Sequence, residues 1–323
     1  MTDHRPDVAI VLFKVRWSEF SAVLSQLAKC SAEFRTLRVL LSGGNAEREQ
    51  LERELSRNDL TNRSEVCHRF DNLGFASGHN LLLSRSFSAA APACLVLNPD
   101  VLVQEGAIEE LTSQATKVGK VLAGPSLSAV QDGRKVVDSL GIVWSSGGRH
   151  LDRGQGQPWA ISAGRTSKQA GLTGACLLVD AEVFRRLVSL SGHFFDDYFL
   201  AYREDAELGV RAAMLQIPSV LVEMNGFSHQ RAVHGSSRGH GLADLLGVRN
   251  RFLLRWKLGS LRPGAFALPT LRDMVVVVAT FSVERRSLPG LKEAFRIRRA
   301  MVGRRRRFEM SGQARASPSR TER

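Results

Sequence analysis

The chain has 323 residues, 43% of them hydrophobic and 24% charged, which supplies a real core and excludes fibrous, low-complexity and wholly disordered classes. Cys30, Cys67, Cys94 and Cys176 form no CxxC pair and no zinc spacing, so free thiols in a reducing, cytoplasmic setting are expected. The formal charge of +13 is concentrated late, because residues 284–323 hold thirteen Lys and Arg against four Glu; the basic character belongs to a C-terminal extension and not to the core.

In chain order, MTDHRPDVAIVLF shows no basic leader with an apolar stretch and cleavage site, so no secretory signal is expected. DVAIVLFKV at 7–15 reads as a buried strand, and Phe20, Val23, Leu24 and Leu27 then repeat at helical spacing. TLRVLLS (36–42), a charged helix, SEVCHRF (64–70), a helix over about 76–90 and PACLVLNPDVLV continue the alternation. Such alternation predicts an α/β fold with a mostly parallel central sheet flanked by helices. Ligands of such sheets sit beyond the carboxyl ends of the strands, where Ser42, Asn72 and Asp100 fall.

Beyond residue 120 the regularity changes. GKVLAGPSL and RKVVDSLGIVW predict short strands, and the polar segment 145–170 reads as a surface loop, with a substrate lid as the alternative. GACLLVDAEVFRRLVSL predicts a strand and a helix, a further helix begins near Arg203, IPSVLVEM is a strand, and about 240–258 is helical. MVVVVATFSV at 274–283 is too short to cross a bilayer and reads as buried or interfacial. These changes divide the chain into residues 1–260, with halves at about 1–120 and 121–260, a helical basic extension 261–310, and a disordered tail 311–323.

Three groups of side chains carry candidate chemistry. In LNPDV, Pro99 stiffens a turn presenting Asn98 and Asp100; a carboxylate there either holds Mg²⁺ or Mn²⁺ against a diphosphate or closes an Asx turn. Glu204 and Asp205 either mark a helix start or act beside the aromatics and acids Phe194, Phe195, Asp196, Asp197 and Tyr202. His229 and His234 offer neutral imidazoles to a metal, or simply pack. The stretch RFDNLGFASGHN adds Asn72, Gly74, Gly78 and Asn80, which suit close approach to a nucleotide or a capped helix, and places His79 toward a nucleotide or solvent. Its glycines match neither GxGxxG nor a P-loop.

Taken in order, DNLGFASGHN, LVLNPDV, GACLLVDAEVFRR, FFDDYFLAYREDAELGVR, SHQRAVHGSS and RNRFLLRWK resemble the family 2 glycosyltransferases, especially the rhamnosyltransferase-like branch that builds bacterial polysaccharide. The resemblance runs from residue 7 to residue 258. It implies a GT-A fold, a nucleotide-sugar donor (dTDP-rhamnose by preference, with UDP and GDP sugars as alternatives), and inverting transfer assisted by Mg²⁺ or Mn²⁺ to a saccharide or lipid-linked acceptor. It further implies Asp205 as catalytic base beside Glu204, and Asp100 and His229 as metal ligands. Phe13, Ser42, Asn72, Gly74, Gly78, Asn80, Asn98 and Asp100 would lie at the donor, Asp196, Asp197 and Tyr202 at the acceptor, and Arg211 would close the helix motif. The second strand departs from the family, which places Asp-Asn where this chain has Ser42 and Gly43. That loss of a base-binding carboxylate motivates a second reading, a catalytically silent scaffold in polysaccharide assembly.

The arginines at 304–307 are expected to hold the protein at an anionic membrane surface, peripherally on the inner face. They accompany no zinc-finger or RRM signature, which ranks a nucleic-acid-binding protein last. A homo-oligomer stays open.

Overall fold

The computed structural model describes residues 3–44, 47–146, 148–230, 242–259 and 267–316. The first half alternates as expected: β1 (Asp7–Leu12), α1 (Trp17–Lys29), β2 (Leu37–Ser42), α2 (Arg48–Arg57), β3 (Ser64–Arg69), α3 (Gly74–Ser88) and β4 (Ala93–Leu97). The strands read as unbroken apolar runs because both faces of the sheet are covered. Val8, Ile10, Leu12, Val39 and Leu41 enter one apolar cluster, and Ala9, Leu40, Cys94 and Val96 enter another. The first strand ends sooner than its hydropathy suggests, since Lys14 already turns at φ +50.

After β4 the NPD turn leads into β5 (Val101–Val103), and α4 (Ala107–Val118) begins with its backbone N–H groups bound in trans by the Glu33 carboxylate, which accepts from Gly106, Ile108 and Glu109. Next come β6 (Leu122–Pro125), β7 (Leu127–Gln131), β8 (Arg134–Ser139), β9 (Ile142–Trp144), β10 (His150–Asp152) and β11 (Thr166–Gln169). The chain continues with β12 (Cys176–Asp180), α5 (Ala181–Ser191), α6 (Glu204–Met214), β13 (Ser219–Val222), β14 (Phe227–His229), α7 (Leu242–Leu258), α8 (Ala267–Ser282) and α9 (Leu288–Ala316). The helix of the extension thus continues into the segment expected to be a disordered tail, and 317–323 lie outside the described residues.

The main sheet has eight strands in the order β11-β13-β6-β12-β4-β1-β2-β3. Contrary to the expectation of a mostly parallel sheet, it is mixed: β12 runs antiparallel to both β4 and β6, and β11 runs antiparallel to β13. The reason is topological. After β4, β6 and β13 the chain passes, at their carboxyl ends, into a second sheet of order β5-β14-β7-β8. When it returns it enters β12 from that same end, with Cys176 opposite Leu97, the last residue of β4. The 145–170 segment is more than a surface loop, since it supplies the edge strand β11. All four cysteines are free and buried.

Candidate functional site

The second sheet brings the first candidate group together. The antiparallel pairing of β14 with β5 sets His229 opposite Val101, next to Asp100, while β7 joins β14 to β8 and Asp138. His229 Nε2 lies 3.2 Å from Asp100 Oδ1, and Nδ1 lies 2.9 Å from Asp138 Oδ2. Burial opposes charge on this imidazole, but the hydrogen bonds and negative charges of Asp100 and Asp138 prevail and raise its pKa to about 9. Asp138 was not a candidate from sequence; only the pairing of β8 through β7 and β14 reveals it. His234 lies outside the described residues.

Asp100 and His229 could hold a divalent cation. Two converging donors with a carboxylate behind the imidazole suit an ion that takes its remaining ligands from a substrate diphosphate. Among the described residues there is no group of three or more His, Cys, Asp or Glu side chains arranged around one point for a metal.

The second group is anchored to the first through the start of β12. Asn98 N donates to Ala175 O at 2.9 Å, and Gly174 N donates to Asp205 Oδ2 at 3.1 Å. The turn after β4 and the start of α6 are therefore tied to the adjacent residues Ala175 and Gly174 at one end of the main sheet. Gly174 suits this crowded place, because a Cβ there would come within 3.0 Å of Phe75 and 3.6 Å of the Asp205 Cβ. Burial raises the Asp205 pKa, opposed by the N–H groups of Gly174 and Ala206. Burial, and then the charge of Asp205, push Glu204 well above the carboxylate range, and its Oε2 is buried with no hydrogen-bond partner. Donors thus favour charge on Asp205, and Glu204 is the member that keeps its proton.

Strain surrounds this helix start. Leu200, Tyr202 and Arg203 have φ of +62, +68 and +75, values that cost side-chain-bearing residues free energy and persist only where neighbours impose them. Asn250, wholly buried, does so: its amide donates to the carbonyls of Phe199, Ala201 and Tyr202 at 2.9, 2.6 and 2.9 Å. Gly74, at φ +67, lies against the same segment, where a Cβ would come within 2.5 Å of Leu200. Tyr202 itself is 56% exposed.

At the ends of β1 and β2, Phe13, Gly43 and Asn72 are neighbours, since a Cβ on Gly43 would touch the Phe13 ring at 2.8 Å and the Asn72 Cβ at 3.9 Å. Asn72 Oδ1 accepts from Gly74 N. Other expected donor residues have different tasks. Ser42 Oγ accepts from Leu73 N at 2.8 Å and donates to Asp71 O at 3.4 Å, which fixes the following loop. Gly78 lets α3 approach the sheet, for a Cβ would meet Val11 at 2.8 Å and Leu40 at 3.1 Å. Asn80 uses both ends of its amide on the Phe195 backbone, at 2.8 and 2.9 Å. His79 faces neither nucleotide nor solvent: it is buried against Phe75 and Phe195, and burial lowers its pKa to about 3.

The expected acceptor acids are likewise engaged. Asp196 is wholly buried and pairs with Lys257 and Arg304; Asp197 pairs with the same Arg304 at 2.6 Å. Lys257 also reaches Glu207 at 2.9 Å, and Glu207 holds Arg211 at 2.8 Å. The Arg304 guanidinium lies 4.3 Å over the Tyr198 ring. Asp196 is therefore a structural clamp between its loop and α9, which removes it from direct contact with an acceptor.

No family model matches the chain, and no curated protein matches it. Solved structures do. The crystal structure of GalNAc-T7 with UDP, GalNAc and Mn²⁺ is similar over 83% of this chain and 54% of that chain, at 12% identity and a TM-score of 0.58. Staphylococcus aureus TarS is similar over 96% of this chain and 54% of its own, at 11% identity and a TM-score of 0.54. Its 1–349 fragment is similar over 98% and 93%, at 11% identity and a TM-score of 0.53. The chain spans about half the length of the first two. At such identities the likeness concerns the fold, and the fold is α/β of the type found in GT-A nucleotide-sugar transferases.

Proposed function

We propose that the protein is an inverting glycosyltransferase that moves a sugar from a nucleotide diphosphate to a hydroxyl of a saccharide or lipid-linked acceptor. The observation that carries this reading is the convergence, at the carboxyl end of the sheet, of the Asp100–His229–Asp138 group with Asp205 through Asn98, Ala175 and Gly174. Rhamnose from dTDP-rhamnose, within bacterial polysaccharide synthesis, is the donor suggested by the sequence motifs. The unit that performs the transfer is residues 1–260, with 261–310 as an extension.

In this reading Phe13, Gly43 and Asn72 border the base, and Asp100 and His229 would hold Mg²⁺ or Mn²⁺ near the donor diphosphate. The cation, when bound, supplies Lewis-acid stabilisation of the leaving group. Asp138 fixes the tautomer and direction of the His229 ring. Asp205 accepts the acceptor hydroxyl proton as that oxygen bonds to the anomeric carbon; the bond from this carbon to the diphosphate oxygen breaks on the opposite face, and the centre inverts. Glu204 stays protonated behind Asp205 and keeps a second negative charge away from the incoming oxygen. One acid suffices, since the diphosphate is already an activated leaving group. Tyr202 and the exposed side of Asp197 border the acceptor.

The silent-scaffold reading draws on Ser42, which offers no carboxylate to a base and spends its hydroxyl on the 71–73 loop. A calorimetric screen of dTDP, UDP and GDP sugars with Mn²⁺, followed by nucleotide release with an acceptor, separates the two. Binding with acceptor-dependent release supports transfer; no binding of any nucleotide sugar favours the scaffold.

A further inference from the structure

Only part of the apolar run in α8 packs against the core. Leu271, Met274, Val275, Val278 and Phe281 are each more than half exposed. Their spacing of three, one, three and three residues puts them on one face of the helix, a stripe about 15 Å long. The opposite side carries the buried Thr280 and the partly buried Val276 and Val277, which pack toward α7 and α9. An apolar face turned outward on a soluble body marks a docking surface.

Charge tells which partner fits. Around the first turns of the helix, Arg272 is joined by Arg251 and Arg255, both paired to Asp273, at 2.7 and 3.5 Å. Arg203, largely buried nearby, has its pKa lowered to about 10 by burial and then by the cations of Arg251, Arg149 and Arg272. Past the last turn stand the exposed Arg285 and Arg286, with Val283 86% exposed beside them. The stripe is therefore bracketed by cations at both ends. A second copy docked antiparallel would set Arg285 and Arg286 against Arg272 and its cationic neighbours, and a parallel one would set each group against itself; both arrangements oppose like charges. An anionic bilayer meets the apolar stripe with its acyl boundary and the cations with its headgroups.

We infer that α8 is a membrane-surface helix: its Leu271–Phe281 face dips into the headgroup boundary of an anionic bilayer while the flanking arginines pair with lipid phosphates. This adds a second element to the attachment expected from the arginine run, in which Arg306 and Arg307 are exposed. Arg304 is engaged with Asp196, Asp197 and Tyr198, and Arg305 donates to the Trp256 carbonyl at 3.4 Å and pairs with Glu309 at 3.8 Å. No helix among the described residues is long and apolar enough to cross a membrane, in keeping with a helix that lies in the interface. The inference stands independently of the proposed chemistry.

Flotation of the full chain with phosphatidylcholine vesicles, with and without phosphatidylglycerol, tests it, and light scattering reports the oligomeric state. The wild type should float with the anionic vesicles and much less with the neutral ones. Val275→Glu/Val278→Glu should lose at least about tenfold in binding with an unchanged thermal melt, since both positions are exposed. Arg285→Glu/Arg286→Glu should lose about fivefold or more for each arginine. Wild-type protein that floats with neither vesicle, a valine variant that floats like wild type, or a dimer that this variant dissolves would each overturn the assignment.

Discussion

Replacement of Asp138 by Ala perturbs the candidate site without removing either side chain proposed to face the donor. Asp138 lies 2.9 Å from His229 Nδ1, is 2% exposed, and helps raise the imidazole pKa to about 9. A buried hydrogen bond to a charged partner contributes about 1.5–3 kcal/mol, and loss of a residue behind a metal-binding histidine typically weakens the metal about 10- to 100-fold. Titration of Mn²⁺ in the presence of a nucleotide sugar should therefore show Asp138→Ala weakened by one to two orders of magnitude. Thermal unfolding in chelator should show the variant destabilised as well. Asp138→Asn keeps an acceptor oxygen for Nδ1–H and should recover part of the affinity without the full stability. Mn²⁺ affinity within twofold of wild type in a folded Asp138→Ala protein would refute the positioning of His229 by Asp138.

Two further perturbations follow. Arg304→Ala takes one of the two arginine and lysine partners from the buried Asp196, leaving Lys257, and removes the stack on Tyr198; urea unfolding should show a loss of about 1–3 kcal/mol, and an unchanged midpoint would show that α9 does not brace this loop. In metal-free protein the folded His229 pKa is about 9 against an ordinary 6.5. The sign is that of a raised base: the stabilisation is complete below pH 6.5 and disappears as pH rises through 9, on the order of 3 kcal/mol in all. Melting temperatures over this range should fall more steeply for wild type than for His229→Gln, and parallel curves would contradict the paired imidazolium.

The strands and helices were legible in the sequence wherever local chemistry decides them. Phe20, Val23, Leu24 and Leu27 are the buried face of α1, and α6 does begin at Glu204. Direction was not legible: the CLLVD run of β12 is apolar whichever way it runs, and only the detour through the second sheet makes it antiparallel. The same limit applies to side chains whose partners lie far along the chain. Asn80 meets Phe195 from 115 residues away, and Arg304 meets Asp196 from 108. Nothing local separates such residues from surface ones, so neither of these long-range contacts could be read from the sequence. Asp138 gave no signal at all, because its importance arises from β7 and β14 lying between it and Asp100. Hydropathy likewise picked out 274–283 but carries no information about which way the helix turns that face.

The most direct measurement is turnover and donor affinity for Asp205→Asn, made side by side on the same nucleotide sugar with Mn²⁺. We predict that transfer falls by at least about two orders of magnitude while the donor binds as it does to wild type. Near-normal transfer by this variant would contradict Asp205 as the group that takes the acceptor's proton.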